Sequence, residues 1–319
     1  MRWLLFLVMA GLLLVNGVAR AEYPDKPVHL IVPFIAGSAP DLAARQAAQR
    51  LTDGLKQQVV VENRPGAAGN IGAEVTARAK PDGYTLMLMT SSHLHNQYLY
   101  AKLHYDPIKD FAPITLLTRL PGLMVVPPSS PAKTVAEFVA FAKGRPGQLN
   151  YGSGGVGSLA HLSAEAFRHA AGIDYIHVPY KGAPDIVLAL LGEQVHVGFP
   201  TMGNAVEPAR QGTLRALAVT GAKRTPVLPM VPTLLEAMPQ GFVLEAWLGL
   251  AAPAGTPSEV IDRVAAILVA SRNDAVFRAT LEKDGSEVVF NSPIQFAAFL
   301  REDAPRWQAL IKRIGVKLE

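Results

Sequence analysis

Tyr151-Gly152-Ser153-Gly154-Gly155-Val156-Gly157-Ser158 runs directly into the helical stretch Leu159 to Ala171. Glycine lets backbone N–H groups turn toward one point, Ser158 is placed to cap the helix, and the helix dipole adds partial positive charge there. Such a turn attracts anions. Gln148 to Tyr151 ahead of it is strand-like, while Leu159, Leu162, Ala166, Phe167 and Ala170 recur at helical spacing. Strand, anion-attracting loop and helix together make this an α/β chain.

The same pattern extends outward in both directions. Upstream, the apolar run Val28 to Phe34 leads through Ile35-Ala36-Gly37-Ser38-Ala39-Pro40-Asp41 into a helix over Leu42 to Leu55. Asp41 reads as an N-cap or first-turn acid, with a direct ligand role as the alternative. A strand over Gln58 to Glu62, a glycine loop over Asn63 to Asn70 and a helix over Ile71 to Ala79 follow. Tyr84 to Met89 suits a buried parallel strand and delivers Thr90, Ser91, Ser92 and His93 at its C-terminal end, where open α/β sheets bind ligands.

Between Phe111 and Val126 the alternation gives way to Ile114 to Leu117 and Leu123 to Val126 with Pro121-Gly122 between them, which reads as a crossing segment. Beyond it come a helix over Val135 to Lys143 capped by Thr134, the central loop and its helix, and strands over Tyr175 to Pro179, Gln194 to Phe199 and Leu214 to Thr220. A helix over Ile186 to Leu191 and a polar turn over Pro200 to Asn204 lie among them. Phe242 to Ala252 reads as the return crossing, and helices over Ser258 to Ser271, Asp274 to Lys283 and Pro293 to Ile314 close the chain. Two α/β lobes joined by two crossing strands place several strand-to-helix loops around one cleft, the geometry of a clamshell binder.

Arg2, the apolar run Leu4 to Val15 and the small-x-small pattern Ala19-Arg20-Ala21 mark residues 1–21 as a secretory signal peptide cleaved after Ala21. The chain has 30 Lys and Arg against 26 Asp and Glu and no cysteine. The charge is nearly balanced once Arg2 and Arg20 are removed, and no basic run or aromatic-basic interleaving points to nucleic acid. Without cysteine there are no disulfides, thiolate chemistry or lipid anchor.

Enzyme readings of the central loop fail on particular residues. Gly152-x-Gly154-x-x-Gly157 satisfies a dinucleotide pattern, but Tyr180-Lys181, not an acid, ends the next strand. A Walker loop needs G-K-[ST], and a nucleophile elbow needs glycine where Tyr151 stands. His161 and His177 leave a serine–histidine pair open by count alone. His93-x-His95 lacks further ligands at metal spacing, so its imidazoles and neighbouring hydroxyls are read as ligand or surface contacts, with no metal and no cofactor.

Several stretches taken in order resemble one family over nearly the whole mature chain: Tyr23 to Val28, Ile31 to Phe34, Val59 to Gly72, Pro81 to Leu86, Tyr105 to Phe111, the central loop, Val178 to Gly182, Leu214 to Thr220 and Ala252 to Pro257. The sequence resembles the Bug, or TctC-like, extracytoplasmic solute-binding proteins of tripartite tricarboxylate transporters. The resemblance implies a type II-like periplasmic-binding-protein fold, with lobe 1 formed by 22–120 and 247–319 and lobe 2 by 121–246. It implies a periplasmic monomer that closes over a small carboxylate and hands it to membrane permease subunits without transforming it. The carboxylate would be held by backbone N–H groups, hydroxyls and ordered water in place of a dedicated arginine.

On that basis Ser153, Gly154, Gly155, Gly157 and Ser158 of one lobe face Phe34, Ala36, Gly37, Ser38, Asp41, Ala67, Gly69, Asn70, Thr90, Ser91 and His93 of the other. Lys181 adds positive charge or is a solvated surface group, and Trp247 stiffens the crossing strand in preference to packing on the ligand. Two stretches depart from the family. Its first loop usually reads P-F-P-P-G-G-x-x-D, where Ile35, Ala36, Ser38 and Ala39 stand here, and the turn after Phe199 commonly opens with an acid, where Pro200 stands. A less polar or bulkier ligand is the expectation. An exported enzyme using the same cleft and a binding subunit feeding a sensor are the alternatives.

Overall fold

The computed structural model describes residues 23–282 and 285–316, so the expected signal peptide lies outside the described residues. The first part of the chain contains β1 (Val28–Val32), α1 (Ala39–Leu55), β2 (Val59–Asn63), a short 3-10 turn (Ala67–Gly69), α2 (Asn70–Ala77), β3 (Thr85–Thr90), α3 (Ser91–Leu99) and β4 (Phe111–Pro121). The middle contains β5 (Leu123–Val126), α4 (Val135–Lys143), β6 (Asn150–Ser153), α5 (Leu159–Ala171), β7 (Ile176–Pro179), α6 (Ala183–Leu191), β8 (Val197–Gly198), α7 (Met202–Arg210), β9 (Arg215–Val219) and α8 (Leu234–Ala237). β10 (Glu245–Pro253), α9 (Ser258–Ser271), α10 (Ala275–Glu282), β11 (Glu287–Val288) and α11 (Pro293–Ile314) complete it.

These strands form two sheets, as the α/β reading requires. The first has the order β11-β4-β10-β3-β1-β2 and the second β7-β6-β8-β5-β9. β2, β1 and β3 are parallel, with Leu30 opposite both Val61 and Leu86. Leu86 to Met89 are fully buried, because this strand is covered by helices on both faces. β7, β6 and β8 are likewise parallel. The strand-to-helix loops after β1, β2, β3, β6, β7 and β8 therefore all leave from carboxyl ends of parallel strands.

The chain passes between sheets where it was expected to cross. β4 ends at Pro121 and β5 starts at Leu123, while β10 enters the first sheet with Glu245 opposite Pro121. Thr220 ties the two passages together. Its N–H donates to the Gly122 carbonyl and its own carbonyl accepts from the Leu244 N–H, each at 2.9 Å. Its hydroxyl accepts from the Gly122 N–H at 2.7 Å and donates to the Leu244 carbonyl at 2.6 Å. All of these groups are buried, so each bond replaces one that water cannot supply.

α5 faces two cores at once. Ala160, Ala164, Phe167 and Ala171 pack into the core of the second sheet, whereas Leu162 and Ala166 join Leu94, Trp307 and Leu310 against the first. The loop that opens the sequence analysis thus sits on a helix wedged between the two halves. Trp247 is buried on β10, donates its indole N–H to Asp303 at 2.8 Å and meets Phe296 and Phe299 edge-on, which is the stiffening role expected for it.

Two elements differ from the sequence reading. The polar turn expected over Pro200 to Asn204 is the start of α7, whose Gly203, Asn204 and Pro208 depress helix propensity while Met202, Ala205 and Val206 are buried and drive it. Ser91 to Leu99 is likewise helical, although Ser91, Ser92, His93 and His95 carry little propensity.

Replacing Thr220 by valine keeps the shape and removes the hydroxyl. At about 1–3 kcal/mol for each buried group left without a partner, we expect Thr220→Val to lower the free energy of urea unfolding by about 2–4 kcal/mol. A change under about 0.5 kcal/mol would mean that the hydroxyl does not hold the two passages.

Candidate functional site

The central loop is built as an anion cradle, but with fewer open donors than its glycines suggest. Ser158 is the N-cap of α5, its hydroxyl accepting from the His161 N–H at 3.2 Å. Ser153 is buried beneath the loop, where its Oγ lies 2.6 Å from Nε2 of His177 and accepts from the Gly155 N–H at 3.1 Å. The Gly157 N–H donates to Nδ1 of His161 and the Ser158 N–H to the Gly155 carbonyl. Gly155 and Gly157 take φ of 98° and 80°, which glycine alone adopts without strain. Among the described residues, the N–H groups of Gly154 and Val156 are left without a protein partner. The Ser153 hydroxyl and the Gly155 and Gly157 N–H groups, expected to meet a ligand, are engaged within the loop and with His177 and His161.

The opposing loops follow the same division. Asp41 is buried and both carboxylate oxygens are used, Oδ2 by the Gly37 N–H and Arg45 Nε and Oδ1 by Asn63 Nδ2. These donors hold its carboxyl below the usual range against the opposing effect of burial. The cap of α1 is Ser38, whose hydroxyl also donates to the Ile35 carbonyl at 2.7 Å. Asp41 is thus held inside the first loop by these donors, and it also occupies the Gly37 N–H. The Ile35 and Ala36 N–H groups are unpartnered among the described residues.

In the second loop Gly66, Ala67, Ala68 and Gly69 have φ of 129°, 46°, 52° and 98°. Two alanines in left-handed conformation cost about 1–2 kcal/mol each, strain of the kind found at ligand clamps. The turn leaves the Ala67 and Ala68 N–H groups unpartnered among the described residues, and successive N–H groups in such a turn make an anion-binding concavity.

These loops are contiguous. Gly69 lies against Pro33 and the ring of Phe34, and Asn96 on α3 donates to the Ala68 carbonyl and to Asn70 Oδ1. The His95 ring faces the Gly157 backbone of the central loop, though neither ring nitrogen reaches hydrogen-bond geometry. Thr90 and Ser91 are buried at the floor, the Thr90 hydroxyl 2.7 Å from that of Ser92. α2, α3, α6 and α7 all begin without a side-chain cap. A Cβ on Gly154 would come within 3.4 Å of Gly182, which precedes α6. Lys181 is exposed just before it.

His93 does not reach the cleft. It is buried within its own half, Nε2 on the Pro107 carbonyl at 3.0 Å and the ring against Tyr105 and Phe111, in the surroundings of a core histidine. His95 and Asn96, not singled out as ligand residues in the sequence, lie against the same loops. Asn96 Oδ1 and both His95 nitrogens are buried without partners. The His-x-His-Asn spelling signalled polarity after a strand, but only the helix places His95 and Asn96 toward the loops.

A cavity of about 770 Å³ is lined by Phe242 to Trp247 and by residues of α11, and by none of the loop residues expected to hold the acid. It is bounded by Arg119, Glu245 and Asp303, and burial raises both carboxyls above their usual range.

A family model described as the tripartite tricarboxylate transporter family receptor matches residues 43–316. The protein BugT of Bordetella pertussis is 34% identical over 321 residues, covering 99% of this chain and 97% of that one. A solved Rhodopseudomonas palustris protein with adipate superposes with a TM-score of 0.83 at 34% identity, over 93% of this chain and 99% of that one. MatC from Rhodopseudomonas palustris with bound malate gives 0.79 at 32% identity, over 91% and 100%. The chain belongs to the tripartite tricarboxylate transporter receptor family.

The buried histidines make stability depend on pH. Burial lowers His93 to about 4 and His95 to about 3 from an ordinary 6.5, so both stay neutral in the folded chain. Below about pH 6.5 the unfolded chain takes up protons that the folded chain refuses, and stability falls as pH drops toward 4. His95→Phe preserves a ring against Trp307, 4.6 Å away in the native protein, and removes one of these titrations. We expect the loss of unfolding free energy between pH 7 and pH 4.5 to be smaller in this variant; an identical loss would show that His95 is not held neutral.

Proposed function

We propose that this chain, as a receptor of that family, captures a small organic acid in the cleft between its two sheets and delivers it, unmodified, to membrane permease subunits of a tripartite transporter. The observation that carries this reading is the set of open N–H groups at Ile35, Ala36, Ala67, Ala68, Gly154 and Val156, spread over three contiguous loops from both halves. Hydrogen bonds to a charged group contribute about 1.5–3 kcal/mol each, and micromolar binding needs about 8 kcal/mol. A few such bonds suffice without a cationic side chain, provided both halves contribute at once.

The moving bodies would be 22–120 with 247–319 against 121–246. An acid that touches both only when they approach stabilises the closed arrangement by its differential affinity. Relatives of known structure hold adipate and malate, which favours a carboxylate here. The chain would work in the periplasm as a monomer after cleavage at Ala21.

Ser153 and His177 are spaced as a nucleophile and its base would be, 2.6 Å apart. Yet Ser153 is fully buried and the Gly155 N–H points at its Oγ instead of outward. A hydrolase would need that oxygen to meet substrate, so binding without conversion is the better reading.

A thermal-shift series with adipate, malate, citrate and hexanoate, followed by product analysis of each stabilising acid, tests this. We expect at least one acid to raise the melting temperature and to be recovered unchanged. The double variant Ser158→Ala, Gly154→Val should remain folded and lose the shift; turnover of the acid, or an undiminished shift in the variant, would contradict the reading.

A further inference from the structure

The loops that carry the open N–H groups also carry exposed aliphatic side chains. Ile35 is 67% exposed on the first loop and Val156 is 45% exposed on the central loop, each next to or within the segment that offers free donors. The rim of the first half continues with Leu42 and Ile71, also exposed, and the ring of Phe34 lies against Gly69 at its foot. Such side chains gain by covering hydrocarbon, at about 25 cal/mol per Å² of apolar surface removed from water.

The polar side chains of the same loops are already committed. Asp41 accepts three hydrogen bonds, Ser38 bonds the Ile35 carbonyl, Ser153 is held by His177 and Ser158 caps α5. Asn63 donates to the Phe34 carbonyl as well as to Asp41. The buried polar atoms left without a partner on Asn96 and His95 lie beside Ala68 and Gly157 and so belong with the backbone donors at the acid end, as does the exposed Lys181 next to Gly182.

We infer that Ile35 and Val156 make this site selective for an organic acid whose body is hydrocarbon, against acids of similar size that carry hydroxyl groups along the body. This rests on the proposed function and adds to it the class of acid taken. The backbone N–H groups hold the carboxylate, and the two aliphatic side chains close on the body behind it. A ligand hydroxyl brought against these two side chains finds no partner on them, and an unpaired buried hydroxyl costs about 1–3 kcal/mol.

Titration calorimetry with adipate and hexanoate against malate and citrate tests the selectivity, on the native chain and on the double variant Ile35→Ser, Val156→Ser. Both positions are exposed, so the unliganded melting temperature should be unchanged. We expect the tighter hydrocarbon acid to bind the native chain about tenfold or more tightly than malate, the equivalent of about 1.4 kcal/mol, and that ratio to shrink in the variant. Malate or citrate binding as tightly as the tighter hydrocarbon acid, or a ratio unaltered in the variant, overturns the inference while leaving acid capture intact. Absence of binding by all four acids removes the proposed function and this selectivity with it.

Discussion

Thr220 joins both passages between the sheets through its backbone and its hydroxyl, and the cleft depends on that junction. Each half has a buried core of its own, and a third core joins them through Leu162 and Ala166. The two passages lie side by side at Gly122 and Leu244 and are bonded to the same residue. α5 completes the joint by burying one face in each half. The loop at its N-terminus is therefore placed against the first half by the same packing that forms the core.

The chemistry of the site follows from where backbone donors remain unused. Sheets and helices consume nearly all N–H groups, and among the described residues those left over lie in loops at the carboxyl ends of parallel strands. The protein commits its charged and hydroxyl side chains to shaping these loops. Asp41 gathers Gly37, Arg45 and Asn63, while Ser153 and His177 brace the central turn from below. The left-handed run from Gly66 to Gly69 is the most strained part of this arrangement, since Ala67 and Ala68 hold conformations that disfavour a side chain. Strain kept in a segment that exposes two adjacent N–H groups is consistent with a donor array fixed before the ligand arrives.

Much of the fold was legible because periodicity and caps agree. α4, α5, α9 and α11 have the limits that Thr134, Ser158 and the apolar spacing indicate, and the glycine and proline at 121–122 mark a passage between sheets. α3 and α7 were hidden because their sequences are poor helix formers that tertiary burial overrides. The grouping of these loops was legible in the sequence, but the partners of individual side chains were not. Ser153 and Asp41 look like ligand groups in sequence, and only three-dimensional placement reveals that their partners lie at His177 and Asn63, far along the chain. The two histidines of His93-x-His95 face opposite surroundings, one turned into its own half and the other toward the central loop. No spacing rule distinguishes them.

Everything above the fold rests on the two halves moving together around an acid. Small-angle X-ray scattering of the full chain, titrated with adipate or whichever acid binds, reads that motion directly. Capture by closure requires the radius of gyration to fall with acid concentration and to saturate with the binding isotherm. An unchanged scattering profile at saturating acid, alongside measurable binding, would place the ligand elsewhere than between the halves and contradict the clamshell mechanism.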